Sequence, residues 1–438
     1  MDVRKDISEK ILGLLCVICI ALAGVGDSPA LSSLPDGITK VMAIPVIGLA
    51  FLHFFVVADF DKFKESLRYI PVLGSLVMVI FLSTLIVFCT DFSDMEVITR
   101  GLSKLIFQVV TVFFGVSMVY LFGIKAVDYL FYGMVGANLG VMVFALQGYS
   151  IGEAVSSVIT CIVTFGEAEG YVRNCEIHDI TFLFGQLFLF YAIFAPRKNG
   201  TQKWKNFWFC VICVFFILLG LKRISIPAIA LVLVIAFILK NMKHPYRLAA
   251  IIGAGIFIFA WVYVLLVRGG VITELMEVLG VDMMGRDHIW SYVHDYYEIS
   301  PFFLGNGFES VRSIMHEVES LGIIKTAYLL HNDYLKVFVE LGFWGFTFWT
   351  GIQYIFYPYY WFKKNSKLSG IVYLSLIIYM SITYLTDNTA FYFWVSIGLR
   401  LIPMAVAVGM KEEKQEANMK SAKTIREEVS QMLGEAGE

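Results

Sequence analysis

Long apolar runs separated by short polar connections dominate the chain. The runs are continuously apolar and lack the alternation of a barrel strand, and a helix needs ~20 apolar residues to cross a bilayer. Backbone groups in hydrocarbon have to bond to one another, so each run should be helical. The pattern predicts transmembrane helices at twelve places: 9–26, 38–58, 69–90, 102–123, 126–146, 181–196, 207–221, 224–240, 248–267, 333–357, 369–386 and 392–409.

Composition leads to the same class of protein. Of the 438 residues, 58% are hydrophobic and 16% are charged, whereas soluble domains average ~25% charged residues. This excludes a soluble enzyme, a disordered chain and a secreted disulfide scaffold. The net charge of −2 provides no basic field for nucleic acid. The sequence therefore predicts an all-α polytopic membrane protein.

Lysine and arginine in the connections predict the orientation, because cytoplasmic loops carry an excess of both. Their distribution favours both termini inside, with a transmembrane domain at 1–410 and a polar cytoplasmic tail at 411–438. We interpret the first apolar run as a span and not as a signal peptide, since no clear cleavage site follows it. Two predicted outer loops, 147–180 and 268–332, are longer than simple connectors, and long loops often carry function.

Lys222 and Arg223 break the charge rule, because they lie between two apolar runs on the predicted outer face. One interpretation is a pair of side chains that snorkel from the end of a span. The other is an anion site that faces a cavity, since ionisable groups at membrane depth usually face a cavity or a partner.

The large outer loop contains a second group of polar residues. Residues 286–298 have the spacing of an amphipathic helix, which Pro301 ends. Arg286 either pairs with a nearby carboxylate or presents its planar guanidinium to phosphate. Gly305, Asn306 and Gly307 favour a tight turn over a phosphate loop.

His331 and Asn332 open the predicted tenth span at the outer face. An isolated histidine is usually a packed or interfacial residue, but a neutral imidazole can also take a proton from a hydroxyl near pH 7. Asn332 would orient the imidazole ring or a substrate hydroxyl. Glu340 lies more than two helical turns further on, so we interpret it as a buried hydrogen-bonding residue and not as a direct partner of His331.

The remaining ionisable residues suggest no further chemistry. Arg400 lies within the last span and is interpreted as structural, with a partner or a cavity around it. Cys161 and Cys175 share an outer loop and could form a disulfide in an oxidising compartment. The histidines of the large loop lack the spacing of a zinc helix motif, so we expect no metal and no cofactor.

Three segments in one order resemble the O-antigen ligase and O-antigen polymerase superfamily of bacterial envelope glycosyltransferases. They are Gly-Arg-x3-Trp at 285–290, Pro-x3-Gly-Asn-Gly-Phe at 301–308 and His-Asn-x2-Leu-x4-Glu-x-Gly at 331–342. Lys222-Arg223-Ile224-Ser225 looks like a Ser-Arg-type segment of the family. It departs from that pattern, since its serine follows the arginine.

The resemblance implies a C-type glycosyltransferase architecture and a reaction at the outer face of the bacterial cytoplasmic membrane. Such enzymes transfer a glycan from undecaprenyl pyrophosphate to a sugar hydroxyl, with inversion and without a metal or nucleotide. Arg286, Arg223 and Lys222 would then bind pyrophosphate, and His331 would be the general base. The supporting residues would be Asn332, Trp290, Asn306, Gly305, Gly307 and Glu340.

The expected partners are the lipid-linked donor, a glycan acceptor, membrane lipid and a chain-length regulator or flippase. A polymerase of lipid-linked repeat units is the leading hypothesis, and a ligase that moves finished glycan to a lipid or protein acceptor is the close alternative. A transporter or flippase is more distant, because it predicts ionisable groups near the bilayer midplane. A scaffold protein would not need outer arginines beside a histidine.

Overall fold

The computed structural model describes residues 2–28, 38–164, 170–197, 199–280, 283, 285–320 and 329–435. Over these residues the chain is helical and contains no β-strand. The helices of the first half are α1 (Asp2–Gly24), α2 (Ile44–Val57), α3 (Phe60–Leu67), α4 (Ile70–Ile86), α5 (Met95–Phe122), α6 (Ala126–Ala145), α7 (Ile151–Thr164), α8 (Gly170–Cys175), α9 (His178–Leu189) and α10 (Gly200–Leu219).

The second half begins immediately after the short Lys222–Arg223 connection. Its helices are α11 (Ser225–Asn241), α12 (Pro245–Arg268), α13 (Val271–Val278), α14 (Arg286–Val293), α15 (Ser310–Ser320), α16 (Asp333–Gly351), α17 (Tyr357–Tyr360), α18 (Lys367–Thr383) and α19 (Phe393–Glu435). Single π-helical turns follow α9, α16 and α17, at Phe190–Phe194, Ile352–Phe356 and Trp361–Asn365.

A helix lies at each of the twelve predicted spans, and the all-α polytopic fold class is confirmed. Seven helical segments of the described chain are long and apolar enough to cross a bilayer, and one of them, Met95–Gly148, holds two predicted spans. Shorter apolar helices at 179–194, 225–241 and 367–383 cover three more. α16 carries charged residues and forms the predicted tenth span.

Capping residues set several helix ends. Asp94 accepts the Val97 amide at the start of α5, and Asn199 accepts the Gln202 amide at the start of α10. Ser366 forms a capping box with Ser369 before α18. Each cap satisfies backbone donors that a helix leaves unpaired in its first turn. Polar residues beside apolar runs therefore fix where these helices begin.

The helices differ widely in the fraction of their residues that is buried inside the bundle. In the most apolar window of Phe393–Met419, 89% of the residues are buried, whereas in that of Ile38–Val57 only 17% are. α19 packs against α5, α9 and α18, and α16 packs against α4 and α12. We expect the exposed apolar surface of α2 to contact lipid, because its exposure to water would be energetically unfavourable. α19 continues without interruption from the core into the polar tail.

Short helices occupy both predicted outer loops. α7 and α8 lie in the first, and α13, α14 and α15 lie in the second. The polypeptide at 302–308 is bonded to α16, because Asn306 N donates to Val339 O and Gly307 N donates to Glu340 O, both at 3.0 Å. The large loop is therefore fastened to the helix that His331 precedes.

Candidate functional site

The site begins at the N-terminus of α16. Asn332 is fully buried, and its side-chain oxygen caps the helix by accepting the Leu335 amide at 3.1 Å. Its side-chain nitrogen donates to the Tyr263 hydroxyl of α12 at 3.3 Å. His331, one residue earlier, has a φ of +49°, in the left-handed region. The tight reversal before a buried cap leaves the His331 side chain 40% exposed.

Asp387 provides a carboxylate close to His331. Its Oδ1 lies 4.0 Å from His331 Nδ1, and its Oδ2 lies 3.4 Å from Lys222 Nζ. Lys222 also lies 3.4 Å from Glu176 Oε1, and its ammonium group sits over the Phe182 ring. We call Glu176, Lys222, His331 and Asp387 the His331 cluster. It joins segments more than 200 residues apart in the chain.

Asp333 fixes the position of the segment that carries Asp387. Its Oδ2 accepts the backbone amides of Thr389 and Ala390, and its own amide donates to Tyr384 O at 2.8 Å. Asp333 is 1% exposed, so these bonds are shielded from water. The connection between α18 and α19 is thereby held against the N-terminus of α16, with Asp387 facing His331.

α14 brings Arg286 to the same end of α16. Gly285, with a φ of +76°, precedes the helix, and Arg286 is its first residue. Trp290 donates from Nε1 to Leu330 O at 2.9 Å, which joins α14 to the residue before His331. Arg286 acts electrostatically on the Tyr263 hydroxyl, the group that Asn332 contacts. Trp290 and His331 therefore lie at the same end of α16, and Arg286 begins the helix that carries Trp290.

Arg223 follows Lys222 in the connection between α10 and α11. It is exposed and, together with Glu176, acts electrostatically on Cys161 of α7. Cys161 lines an open groove of about 460 Å³, whose other walls include the Tyr149 and Tyr171 rings. The groove is rich in hydroxyl groups, from Ser156, Ser157 and Thr160.

Gly305, Asn306 and Gly307 form the expected turn, and they lie against α16. A Cβ on Gly305, whose φ is +94°, would come within 2.5 Å of Glu340 O, so a side chain would collide with the backbone. Asn306 Nδ2 donates to Tyr296 O at 2.6 Å. These residues support α16 from the loop and do not face His331 directly.

A buried network of charged groups lies below the His331 cluster. Glu309 Oε1 accepts Lys104 Nζ at 2.6 Å and Lys336 Nζ at 3.2 Å, and Lys336 lies 3.8 Å from Glu340 Oε1. Burial alone would raise the pKa of Glu309, but the two ammonium groups lower it to about 2. Glu340 is fully buried beside this network.

Arg400, Cys161 and Cys175 are the other residues that the sequence singled out. Arg400 is buried and donates to Gln108 O at 3.0 Å and Gln108 Oε1 at 2.9 Å, which joins α19 to α5. Cys161 and Cys175 are both free and buried. Among the described residues, no cluster of three or more His, Cys, Asp or Glu side chains could hold a metal ion.

Sequence reasoning missed Asp387, Glu176, Lys104 and Glu309. A signal for Asp387 existed, because Thr386-Asp387-Asn388-Thr389 is a polar connection after the eleventh predicted span. This span is odd-numbered, so the connection is predicted to face the same side as Lys222 and His331. Glu176 ends the first outer loop in the same way. Lys104 and Glu309 gave no such signal, since they are 205 residues apart and only the fold pairs them.

The fold and this cluster define a polytopic helical membrane protein with a charged site at one end of its bundle. Residues 208–350 match the family described as O-antigen ligase. The matched residues include Lys222, Arg223, Arg286 and His331. Asp387 and Glu176 lie outside it. No curated protein matches the chain significantly.

Proposed function

We propose that the protein transfers a glycan from undecaprenyl pyrophosphate to a sugar hydroxyl at the outer face of the cytoplasmic membrane. The observation that carries the proposal is the His331 cluster, in which an accessible imidazole lies 4.0 Å from a carboxylate that also lies near Lys222. A histidine with a carboxylate partner is suited to take a proton from a poor nucleophile. The family of residues 208–350 supports a lipid-linked glycan and an acceptor as substrates.

In the proposed reaction, His331 removes the proton of the acceptor hydroxyl. The acceptor oxygen then bonds to the anomeric carbon with inversion, as the bond from that carbon to the pyrophosphate oxygen breaks. The bonding electrons leave with undecaprenyl pyrophosphate, and the proton stays on His331 until solvent removes it. Asp387 would hold the ring and stabilise its protonated form, as a carboxylate does for a catalytic histidine.

Charge on the departing pyrophosphate has to be stabilised in the transition state. Arg286, Arg223 and Lys222 are the proposed groups, and a guanidinium can bind phosphate oxygens through two parallel hydrogen bonds. Lys222 already lies 3.4 Å from two carboxylates, so its role would require an exchange of partners. The hydroxyl-rich groove beside Cys161 is the proposed binding surface for the glycan, since tyrosine rings and hydroxyls suit sugars.

The acceptor separates two forms of this reaction. A polymerase would add the glycan to another lipid-linked repeat unit, and we propose this form first. A ligase would add finished glycan to a different lipid or protein, and the family description of residues 208–350 favours it as the second candidate. A deletion strain that accumulates long lipid-linked chains supports the ligase, whereas one that accumulates single repeat units supports the polymerase.

The decisive experiment is lipid-linked glycan analysis of a deletion strain complemented with His331→Ala. Loss of a general base costs typically 10²–10⁴-fold in rate, so we expect no detectable product from a normally inserted protein. The control is His316→Ala, because His316 lies in α15 and pairs with Glu319 at 3.7 Å. Product of normal length with His331→Ala would refute the assignment of the base.

A companion variant tests the pyrophosphate site. Arg286→Lys keeps the charge and removes the planar fork, so we expect at least a tenfold loss of transfer. Arg100→Lys is the matched control, since Arg100 pairs with Glu96 at 2.7 Å on the surface of α5. Wild-type activity of Arg286→Lys would rule out a bidentate role for Arg286.

A further inference from the structure

A second cavity lies at the end of the bundle that carries Lys240, Arg247 and Lys363. It has a volume of about 400 Å³ and lies between α12 and the segment 354–363. Ala249, Ala250 and Ala254 form one wall. The opposite wall is formed by aromatic and apolar side chains, among them Tyr354, Phe356, Pro358, Tyr359 and Phe362.

The local sequence explains why the cavity exists. α12 touches the opposite segment at Gly253, where a Cβ would lie 2.0 Å from Tyr354 O. From this contact toward Pro245 the alanine wall provides little side-chain volume. The opposite wall is displaced by π-helical turns at Ile352–Phe356 and Trp361–Asn365, since each such turn inserts an extra residue into the helix. The two segments therefore diverge into a groove.

The groove opens onto the apolar outer surface of the bundle. Ile355, which lines the groove, is 49% exposed, and Ile251 of α12, outside the groove, is 68% exposed. A large apolar surface of this kind has to face hydrocarbon and not water. The occupant is therefore an apolar chain from the bilayer and not a soluble ligand.

Basic groups surround one end of the groove. Lys363 Nζ lies 4.5 Å from the centre of the Tyr246 ring, and Arg247 lies 5.9 Å from the centre of the same ring. Lys367 donates to the backbone oxygens of Lys240 and Met242. Residues 240–248 and 361–370 contain no Asp or Glu, so neither segment supplies a carboxylate to balance these charges.

We propose that this groove binds one acyl chain of an anionic phospholipid, with the phosphate at Lys363 and Arg247. Basic pockets between transmembrane helices are suited to anionic headgroups, and each Lys or Arg near the surface contributes about a fivefold preference. The tyrosines at the mouth, Tyr246 and Tyr359, suit the level of the headgroups. The site lies apart from the His331 cluster and is independent of the proposed glycan transfer.

Native mass spectrometry of the full chain, with phosphatidylglycerol or phosphatidylcholine of the same acyl chains, tests the groove. Ala250→Phe fills it and should lower retained phosphatidylglycerol at least fivefold. Ile251→Phe is the matched control, because its side chain faces outward on the same helix, and it should retain as much lipid as wild type. If Ala250→Phe aggregates, Ala254→Leu is the smaller filling variant that decides.

The headgroup is tested in the same experiment. Lys363→Gln should reduce the preference for phosphatidylglycerol over phosphatidylcholine about fivefold, whereas Lys364→Gln should leave it unchanged, since Lys364 does not line the groove. Equal retention of both lipids by wild type would overturn the anionic site. Undiminished retention in the filling variant, or an equal loss in Ile251→Phe or Lys364→Gln, would also overturn it.

Discussion

At the scale of single residues, His331 and Lys222 could be identified from the sequence, whereas Asp387 was found only in the structure. His331 stands out in the sequence because it opens a span, and Lys222 stands out because it breaks the charge rule. Asp387 lies within hydrogen-bonding or ion-pairing range of both, at 4.0 and 3.4 Å. Its position depends on bonds from Thr389 and Ala390 to Asp333. Such pairings between distant residues depend on how the helices pack, so the pattern of residues along the chain cannot predict them.

The carboxylate of Asp387 should matter for transfer. In Asp387→Asn the side chain keeps its size but can no longer balance the charge of a protonated His331. We expect a loss of 10- to 100-fold in product formation, measured with lipid-linked donor in membranes. Asp91→Asn, an exposed carboxylate on the same predicted side, should keep its activity. Equal activity of the two variants would contradict the pairing of Asp387 with His331.

Glu309 should stabilise the fold strongly. In Glu309→Gln the ammonium groups of Lys104 and Lys336 lose their shared carboxylate, and Lys336 is only 8% exposed at its side chain. Breaking a buried pair typically costs ~3–5 kcal/mol, and we expect about 3 kcal/mol because Lys104 remains 38% exposed. Unfolding in detergent measures the loss. Glu96→Gln, in an exposed pair on α5, should cost less than ~1 kcal/mol.

The contribution of Glu309 to the stability of the fold should decrease at low pH. The pKa of Glu309 is lower in the folded chain, at about 2, than its ordinary value of 4.5. Its contribution is therefore complete above pH 4.5 and is lost as the pH falls toward 2. The difference in stability between wild type and Glu309→Gln should shrink across this window. A difference that stays constant from pH 7 to pH 3 would disprove the ionic origin.

At the scale of elements, α16 begins beside the His331 cluster and is interrupted at Gly342, where the backbone is not helical. Gly342 has a φ of +69° and a ψ of −172°, a combination that is essentially restricted to glycine. At this interruption Phe343 N donates to Phe303 O, and the turn of the outer loop at Leu304 and Gly305 packs against Gly342. Glycines 305 and 342 therefore belong to one contact between the loop and α16.

Gly342→Ala should disrupt this contact. A Cβ would lie 2.2 Å from the Leu304 carbonyl carbon, so steric collision adds to backbone strain of ~1–3 kcal/mol. We expect a loss of at least about 3 kcal/mol in thermal unfolding. Gly351→Ala, at the end of the same helix, meets its nearest atom at 3.9 Å and should change stability by less than ~1 kcal/mol. A loss of less than ~1 kcal/mol in Gly342→Ala would show that the contact between the loop and α16 contributes little to stability.

Hydrophobic runs predicted the spanning elements because apolar length alone decides what can cross a bilayer. α4, α6 and α12 begin within a few residues of the predicted bounds. The shorter outer helices were harder to predict, because α13 and α15 depend on packing against the bundle and not on bilayer thickness. Of these, only the amphipathic helix at 286–293 was evident, since its polar and apolar residues have helical spacing.

At the scale of the molecule, the two ends of the bundle should face different compartments. Cys89 is exposed after α4, on the predicted outer side, and should react with a membrane-impermeant maleimide in intact cells. In a Cys89→Ser background, Glu413→Cys places a thiol in the predicted cytoplasmic tail, which should label only after permeabilisation. Labelling of Glu413→Cys in intact cells would reverse the orientation and place the His331 cluster inside.

The hydrogen bonds between Asp333 and the connection from α18 to α19 have a consequence for how the sequence of this protein can change in evolution. His331 and Asp387 are positioned by α16 and the connection between α18 and α19, whereas Arg286 and the groove beside Cys161 belong to the two outer loops. Under the proposed function, mutations in the loops would therefore change sugar recognition without disturbing the proposed proton transfer. Lineages that diverge in surface sugars would be expected to change loop sequences rapidly while the first turn of α16 stays almost constant.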